Sequence, residues 1–291
     1  MKVSQNKNSV LIATLWMMGT LFSFMGMAIG GRELSRELPT FQILFFRSLI
    51  GLMIVLPILF AGGWNRVITK HFLEHTIRNL AHLGGQFGWF YGIAYISLAN
   101  VFAIEFTLPV WTAILASFML KEKLTRPRVA AIIFGLMGML VILRPGLGVM
   151  NPVALIVLAS AVCYAFSHTL TRKLAMHDPP IVILFYMTMI QLPIALILSL
   201  DKWTNPSMNL WPWLLVVGIT ALSAHYCMAR AFQIAEATVV VPMDFLRLPL
   251  IAVVGYIAYN EAIDWYVLFG AFVMLIGNFI NIQAERQKNE S

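Results

Sequence analysis

The sequence predicts an all-α integral membrane protein of ten transmembrane helices, arranged as two inverted five-helix repeats around a central cavity. Three observations predict it: the bulk composition, ten apolar runs separated by turn or charge signals, and a self-match of the chain at one nearly constant offset. Of 291 residues, 60% are hydrophobic and only 11% are charged, with a mean hydropathy of +0.81. Soluble domains run at about 45–50% apolar and about 25% charged. A water-soluble fold of this length would have to place much of that excess on its surface, so bilayer is the expected solvent. One span needs about 20 apolar residues, and ten spans would use roughly two-thirds of the chain.

The spans read near residues 10–30, 40–61, 77–97, 98–120, 128–143, 151–171, 180–200, 211–233, 237–259 and 263–283. The first follows Lys2 and Lys7 but is too long for a signal-peptide core and runs into Gly30-Gly31-Arg32, so it is expected to be retained. Breaks fall at Leu38-Pro39, Gly62-Gly63, Lys121-Glu122-Lys123, Arg144-Pro145-Gly146, Asp178-Pro179-Pro180 and Asn205-Pro206. Spans three and four are divided near Ser97 with almost no loop, and spans eight and nine near Glu236. Cys163 and Cys227 lie inside apolar runs and are expected to pack as small hydrophobes rather than pair.

Basic residues orient the spans. With the N-terminus in the cytoplasm, 12 of the 20 Lys and Arg fall on that side: Lys2, Lys7, Arg66, Lys70, Lys121, Lys123, Arg126, Arg128, Arg172, Lys173, Arg286 and Lys288. Four fall opposite (Arg32, Arg36, Arg144, Lys202), and four lie in or at the ends of spans. This positive-inside bias places both termini in the cytoplasm. It also accounts for the net charge of +7 without nucleic acid as a partner.

The self-match supplies the architecture. At an offset of 139, Glu105-Phe106 falls on Asp244-Phe245, Glu122 on Glu261, Gly138 on Gly277, Trp64 on Trp203 and Gln86 on His225. At 141, Pro39 falls on Pro180, Arg32 on Lys173 and Phe45 on Tyr186. The repeats are read as residues 1–146 and 147–291. Five spans per repeat put the second half into the membrane upside down, an arrangement that recurs in secondary transporters. It predicts alternating access.

Several segments together resemble the EamA-type proteins of bacteria, within the ten-helix drug/metabolite transporter superfamily. They are Phe41-Gln42-Ile43-Leu44-Phe45-Phe46-Arg47, Trp89-Phe90-Tyr91-Gly92-Ile93-Ala94 with Ser97-Leu98-Ala99, and Leu108-Pro109 with Leu120-Lys121-Glu122-Lys123-Leu124. Val141-Ile142-Leu143-Arg144-Pro145-Gly146, Arg230-Ala231-Phe232, Pro242-Met243-Asp244-Phe245 and Asn260-Glu261 complete the set, which covers essentially the whole chain. The resemblance implies a ten-helix basket that moves solutes without ATP. Its members handle amino acids, nucleotide-sugar-like and cofactor-like metabolites, carboxylates, S-adenosylmethionine and riboflavin. One departure is Glu105, near a position in the fourth span where the family often has a small polar residue.

Ionisable groups at bilayer depth cost roughly 2.5–3.5 kcal/mol on insertion scales and so face a cavity or a partner. The candidates for substrate binding are Glu105 and Asp244 as repeat mates, Arg247, and the stripe His82, Gln86, Trp89 on the third span. Tyr164 and His168 on the sixth, His225 on the eighth, Arg47 on the second and Trp16 on the first complete the set. Two readings stand side by side for Asp244 and Arg247: an internal ion pair, or carboxylates facing the cavity. Arg78 heads the same stripe on the third span, and stands close enough to the cytoplasmic end to snorkel to the headgroups instead. Cationic and imidazole groups outnumber carboxylates in this set, which favours an anionic or zwitterionic solute.

Glu122 and Glu261 end the fourth and ninth spans as helix-end anchors or gates. The glycines Gly135, Gly138, Gly270 and Gly277 read as close helix packing. The expected partners are a small-molecule solute, protons or a counter-substrate, and lipid, for a monomer or homodimer in the bacterial inner membrane. An integral-membrane transferase acting on a lipid-linked or acyl substrate is the alternative. The chain has no Gly-x-Ser-x-Gly elbow, no His-Glu-x-x-His helix and no Gly-rich phosphate loop, and so no expected cofactor, metal or catalytic residue.

Overall fold

The computed structural model describes residues 7–119, 125–144, 151–174, 177–234 and 247–290. Among these, every regular element is helical. In the first part of the chain the helices are α1 (Lys7–Leu34), α2 (Thr40–Gly62), α3 (Phe72–Tyr95), α4 (Leu98–Glu105), α5 (Leu108–Met119) and α6 (Arg126–Leu143). They are followed by α7 (Pro152–Leu174), α8 (Pro180–Ser199), α9 (Trp211–Ile234), α10 (Arg247–Tyr259) and α11 (Trp265–Glu290).

Local chemistry sets the boundaries. Pro39 and Pro179 hold extended backbone immediately before α2 and α8, where a missing N–H costs nothing. Ser97 caps α4 by accepting from the Asn100 amide at 3.2 Å. Arg144 closes α6 in the left-handed conformation, φ 46°.

The fourth span differs from its expected form. Rather than one continuous helix over 98–120, it is α4 and α5 broken at Phe106-Thr107. Pro109 has no amide to donate to the Glu105 carbonyl, and its ring crowds that carbonyl, so the helical ladder is interrupted there. The Thr107 hydroxyl occupies the break, donating to the Ile104 carbonyl at 2.7 Å and accepting from Trp111 Nε1 at 3.0 Å.

Six stretches are long and apolar enough to cross a membrane: Leu11–Leu34, Thr40–Gly62, Leu98–Met119, Pro152–Thr171, Pro180–Lys202 and Met208–Met228. Val129–Leu143, Arg247–Tyr259 and Trp265–Ile280 are shorter apolar helices. α3 has the length but not the hydropathy, because His75, Arg78, Asn79, His82 and Gln86 run along it. All five are buried. Large apolar side chains such as Leu15, Phe22, Phe60, Ile197 and Phe279 are instead exposed on the outside, as lipid solvent requires.

α1 packs on α9, α3 on α7, α2 on α8, α6 on α11, and the short α4 on α10. The α6–α11 contact is backbone-close. A Cβ on Gly138 would meet the Gly270 carbonyl, and one on Gly277 would lie 3.2 Å from the Ala131 carbonyl. In lipid, such approach lets dispersion replace the missing hydrophobic force between helices. Aromatic clips tie the connecting loops to the neighbouring helices: Trp64 sits 5.8 Å from Phe185, and Trp203 5.9 Å from Phe46. Both cysteines are free thiols.

Candidate functional site

α3 is a polar spine, and each of its polar residues meets a different neighbour. At the end near α4, Trp89 Nε1 donates to Glu105 Oε2 at 2.9 Å. Glu105 Oε1 lies 3.7 Å from Arg247 Nη1 on α10. The Arg247 guanidinium also sits over the rings of Phe24, Phe102 and Phe106, at 4.7, 5.5 and 5.7 Å. Those three rings give the buried charge cation–π contacts.

One turn along α3, the Gln86 amide oxygen accepts from Arg47 Nη1 and Nη2 at 2.6 and 2.9 Å. Its amide nitrogen donates to Gln191 Oε1 on α8 at 3.0 Å. Donor and acceptor logic fixes this orientation, because the reverse would turn the amide nitrogen on a guanidinium. His82 Nδ1 lies 3.1 Å from Gln191 Nε2, and the His82 ring meets Tyr164 and His225 edge-on at 5.5 and 5.8 Å. Gln191 also donates to the Asn79 carbonyl at 3.1 Å. Next, Arg78 donates to Thr171 Oγ1 at 2.9 Å and to Asn79 Oδ1 at 2.6 Å.

The spine ends at the loop before α8. His75 Nε2 and the Thr69 hydroxyl each bond Asp178 Oδ2 at 2.8 Å. Burial alone would raise the Asp178 carboxyl, but the hydrogen bonds from His75 and Thr69 outweigh it and hold the group below the usual aspartate range. His71 stacks on His177 at 4.6 Å, and Lys173 reaches Glu74 at 3.0 Å.

The expected site residues therefore mostly converge. Arg47, His82, Gln86, Tyr164 and His225 form one array, which Phe24 joins to Trp89, Glu105 and Arg247: its ring meets His225 edge-on at 5.8 Å and lies under the Arg247 guanidinium. His168 joins through Tyr164 at 6.2 Å between rings. Trp16 meets α9 instead, with Tyr226 at 5.9 Å and the Arg230 guanidinium at 5.8 Å. Asp244 and Glu122 lie outside the described residues. Glu261 is an end clasp, bonding Arg32 Nη2 at 2.8 Å and the Leu98 amide at 2.9 Å. Arg78 does not snorkel: it is 4% exposed, because Thr171 and Asn79 give its guanidinium buried acceptors.

Sequence reasoning missed Gln191, Asn79 and Asp178. Gln191 had a signal, being a lone polar residue within Met189-Ile190-Gln191-Leu192. Arg47, Arg78 and Arg247 are each 4% exposed, and Glu105 is the carboxylate described among them. Glu105, Tyr164, His168 and His225 are only half-buried.

The sequence model of the EamA-like transporter family matches residues 11–144 and again residues 151–283. The chain belongs to that family. It is a small-metabolite transporter and not an enzyme, and a multi-pass membrane protein of a bacterial transporter family. The transporter is 26% identical over 260 residues to the S-adenosylmethionine uptake transporter of Rickettsia prowazekii, covering 89% of this chain and 88% of the relative. It is 29% identical to the riboflavin transporter of Brucella anthropi, covering 77% and 81%. It is 25% identical to the pseudopaline exporter of Pseudomonas aeruginosa, covering 93% and 94%. A solved crystal structure superposes with TM-score 0.66 at 18% identity, over 99% of this chain and 100% of its own, and so shares the fold.

Proposed function

We propose that the transporter carries a polar, anionic or zwitterionic organic metabolite by alternating access, without ATP, between two inverted five-helix repeats. The carrying observation is the interior charge: three guanidinium groups are buried, and of these Arg247 faces a described carboxylate, Glu105, beside half-buried His and Tyr side chains. A low-dielectric interior of that sign favours a solute bringing a carboxylate or phosphate. The rings of Tyr164, His168, His225 and Phe24 suit a planar group. Amino-acid-like and cofactor-like compounds fit both features, with S-adenosylmethionine and riboflavin as first probes because relatives carry those names.

The repeat reading divides the chain at 1–146 and 147–291 into ten spans, with both termini cytoplasmic in the inner membrane. Supporting it, the family model matches twice, and the sequence self-match pairs residues 139 apart. The Trp64–Phe185 and Trp203–Phe46 clips exchange under the same offset. So do the Gly138–Gly270 and Gly277–Ala131 contacts. Glu105, its mate Asp244, Arg247, His82, Gln86, Trp89, Tyr164, His168, His225 and Arg47 are the binding set, with Trp16 beside it and Glu122 and Glu261 as helix-end gates. Coupling to protons or to a counter-substrate runs through the carboxylates, in a monomer or homodimer surrounded by lipid.

The test is a thermal-shift screen of the purified chain against metabolites, because a solute that binds the folded state raises its melting temperature. Hits are then followed by uptake and counterflow in liposomes. Saturable exchange that is lost in Glu105→Gln and Arg247→Ala is expected. Unchanged affinity in both variants removes the site, and thiol labelling that puts residues near 125 and 175 on opposite faces removes the inversion.

A further inference from the structure

The short helix α4 is held at both ends by the residues that flank α10. At its C-terminus, Glu105 faces Arg247, the first residue of α10. At its N-terminus, Glu261 Oε2 accepts from the Leu98 amide at 2.9 Å, and Glu261 lies two residues past the end of α10. The backbone arranges this reach. Asn260 takes the left-handed conformation, φ 52°, and the Glu261 amide turns back to the Gly255 carbonyl at 3.0 Å. Gly255 then leaves room for the carboxylate, since a Cβ there would collide with Glu261 Oε2.

The same carboxylate binds Arg32 at the end of α1, at 2.8 Å, and Arg32 also donates to the Ile96 carbonyl at 2.6 Å. Tyr259 donates to Glu33 at 2.9 Å and carries the Arg32 guanidinium over its ring. One carboxylate thus joins α1, the α3–α4 connection and α10. Between the two clasps, Leu98, Val101, Phe102, Ala103 and Ile104 are all fully buried. A close-packed rod of this kind transmits displacement rather than absorbing it.

We propose that Glu261 is a positioning residue for transport: its clasp with Arg32 and the Leu98 amide sets the place of α4, and through α4 the distance between Glu105 and Arg247. Opening this end of the bundle therefore loosens the interior site, and a solute that displaces Glu105 from Arg247 loosens the seal. The inference rests on the reading of Glu105 and Arg247 as the solute site, but its test needs no solute.

The test uses the full chain in liposomes with Cys163 and Cys227 replaced by Ala, and single reporters Ala99→Cys, Ala103→Cys or, on α8, which packs on α2 and α3, Ala195→Cys. Each is labelled with a small methanethiosulfonate reagent. Gly255→Ala keeps every charge but pushes the Glu261 carboxylate aside, and Glu261→Gln removes the ion pair. Both are expected to raise labelling at 99 and at 103 roughly tenfold, the scale of one lost charge-assisted hydrogen bond, with the 195 reporter unchanged. Asp264→Asn breaks the separate Arg144–Asp264 pair at the same end and is expected to leave 103 unchanged.

Faster labelling at 99 alone overturns the proposal, as does no change at either position or an equal rise in Asp264→Asn. A rise at 195 as well marks general loosening and also overturns it. Failure of the solute site would appear separately, as unchanged solute binding in Glu105→Gln and Arg247→Ala.

Discussion

Replacing Gln86 by Leu tests the spine at its most constrained point. The Gln86 amide oxygen accepts both terminal nitrogens of Arg47, and Arg47 Nε has no hydrogen-bond partner among the described residues. Leucine fills a similar volume but leaves a buried guanidinium facing hydrocarbon. Two charge-assisted hydrogen bonds are worth about 1.5–3 kcal/mol each, and stranding a buried charge typically costs about 3–5 kcal/mol. For a protein of this size that corresponds to a fall in melting temperature on the order of 10 °C. Gln86→Glu separates charge from packing, because a carboxylate still accepts from Arg47, and the Gln191 amide can turn to donate to it at the loss of one neutral hydrogen bond, that to the Asn79 carbonyl. That variant is expected to melt within about 1 kcal/mol of the parent, yet to bind anionic solutes more weakly because Arg47 is neutralised. The assay is tryptophan-fluorescence melting in detergent at fixed scan rate, since unfolding of such proteins is commonly irreversible. A Gln86→Leu protein melting within a degree or two of the parent would refute the reasoning.

Glu105→Gln keeps an acceptor for Trp89 Nε1 but removes the charge facing Arg247; solute binding is expected to change at least about tenfold while stability falls by only about 1–2 kcal/mol. Gly138→Val drives a side chain into the Gly270 carbonyl and to 2.6 Å from Met274 Cγ, so about 1–3 kcal/mol is lost by overpacking and the yield of monodisperse protein drops on size exclusion. Because its folded-state pKa is depressed, Asp178 contributes stability that is present above the unfolded value of about 3.9 and is lost as pH falls below it. Asp178→Asn is therefore expected to lower the melting temperature at neutral pH and to flatten its decline between about pH 4 and pH 3.

Much of the candidate site was legible because hydrocarbon makes polar residues conspicuous. His82, Gln86 and Trp89 share a face at helical spacing, and the structure buries all three. For Arg78 the stripe and the snorkelling alternative stood level, because depth along a span does not reveal whether acceptors wait inside; Thr171, which receives its Nε proton, is 93 residues away. The break between α4 and α5 could be read from Pro109, whose missing amide is a local property. Gln191 was passed over because an amide carries no charge, yet it links Gln86, His82 and Asn79.

Composition and periodicity alone determined the solvent, the helical class and most of the apolar spans, since each depends on near neighbours. Only the packed fold decided which polar groups meet: Gln86 with Gln191, Glu105 with Arg247, Glu261 with the Leu98 amide 163 residues away. Those pairings follow from how helices distant in the chain cross. Their contact surfaces are built from ridges, glycines and breaks that no local pattern encodes.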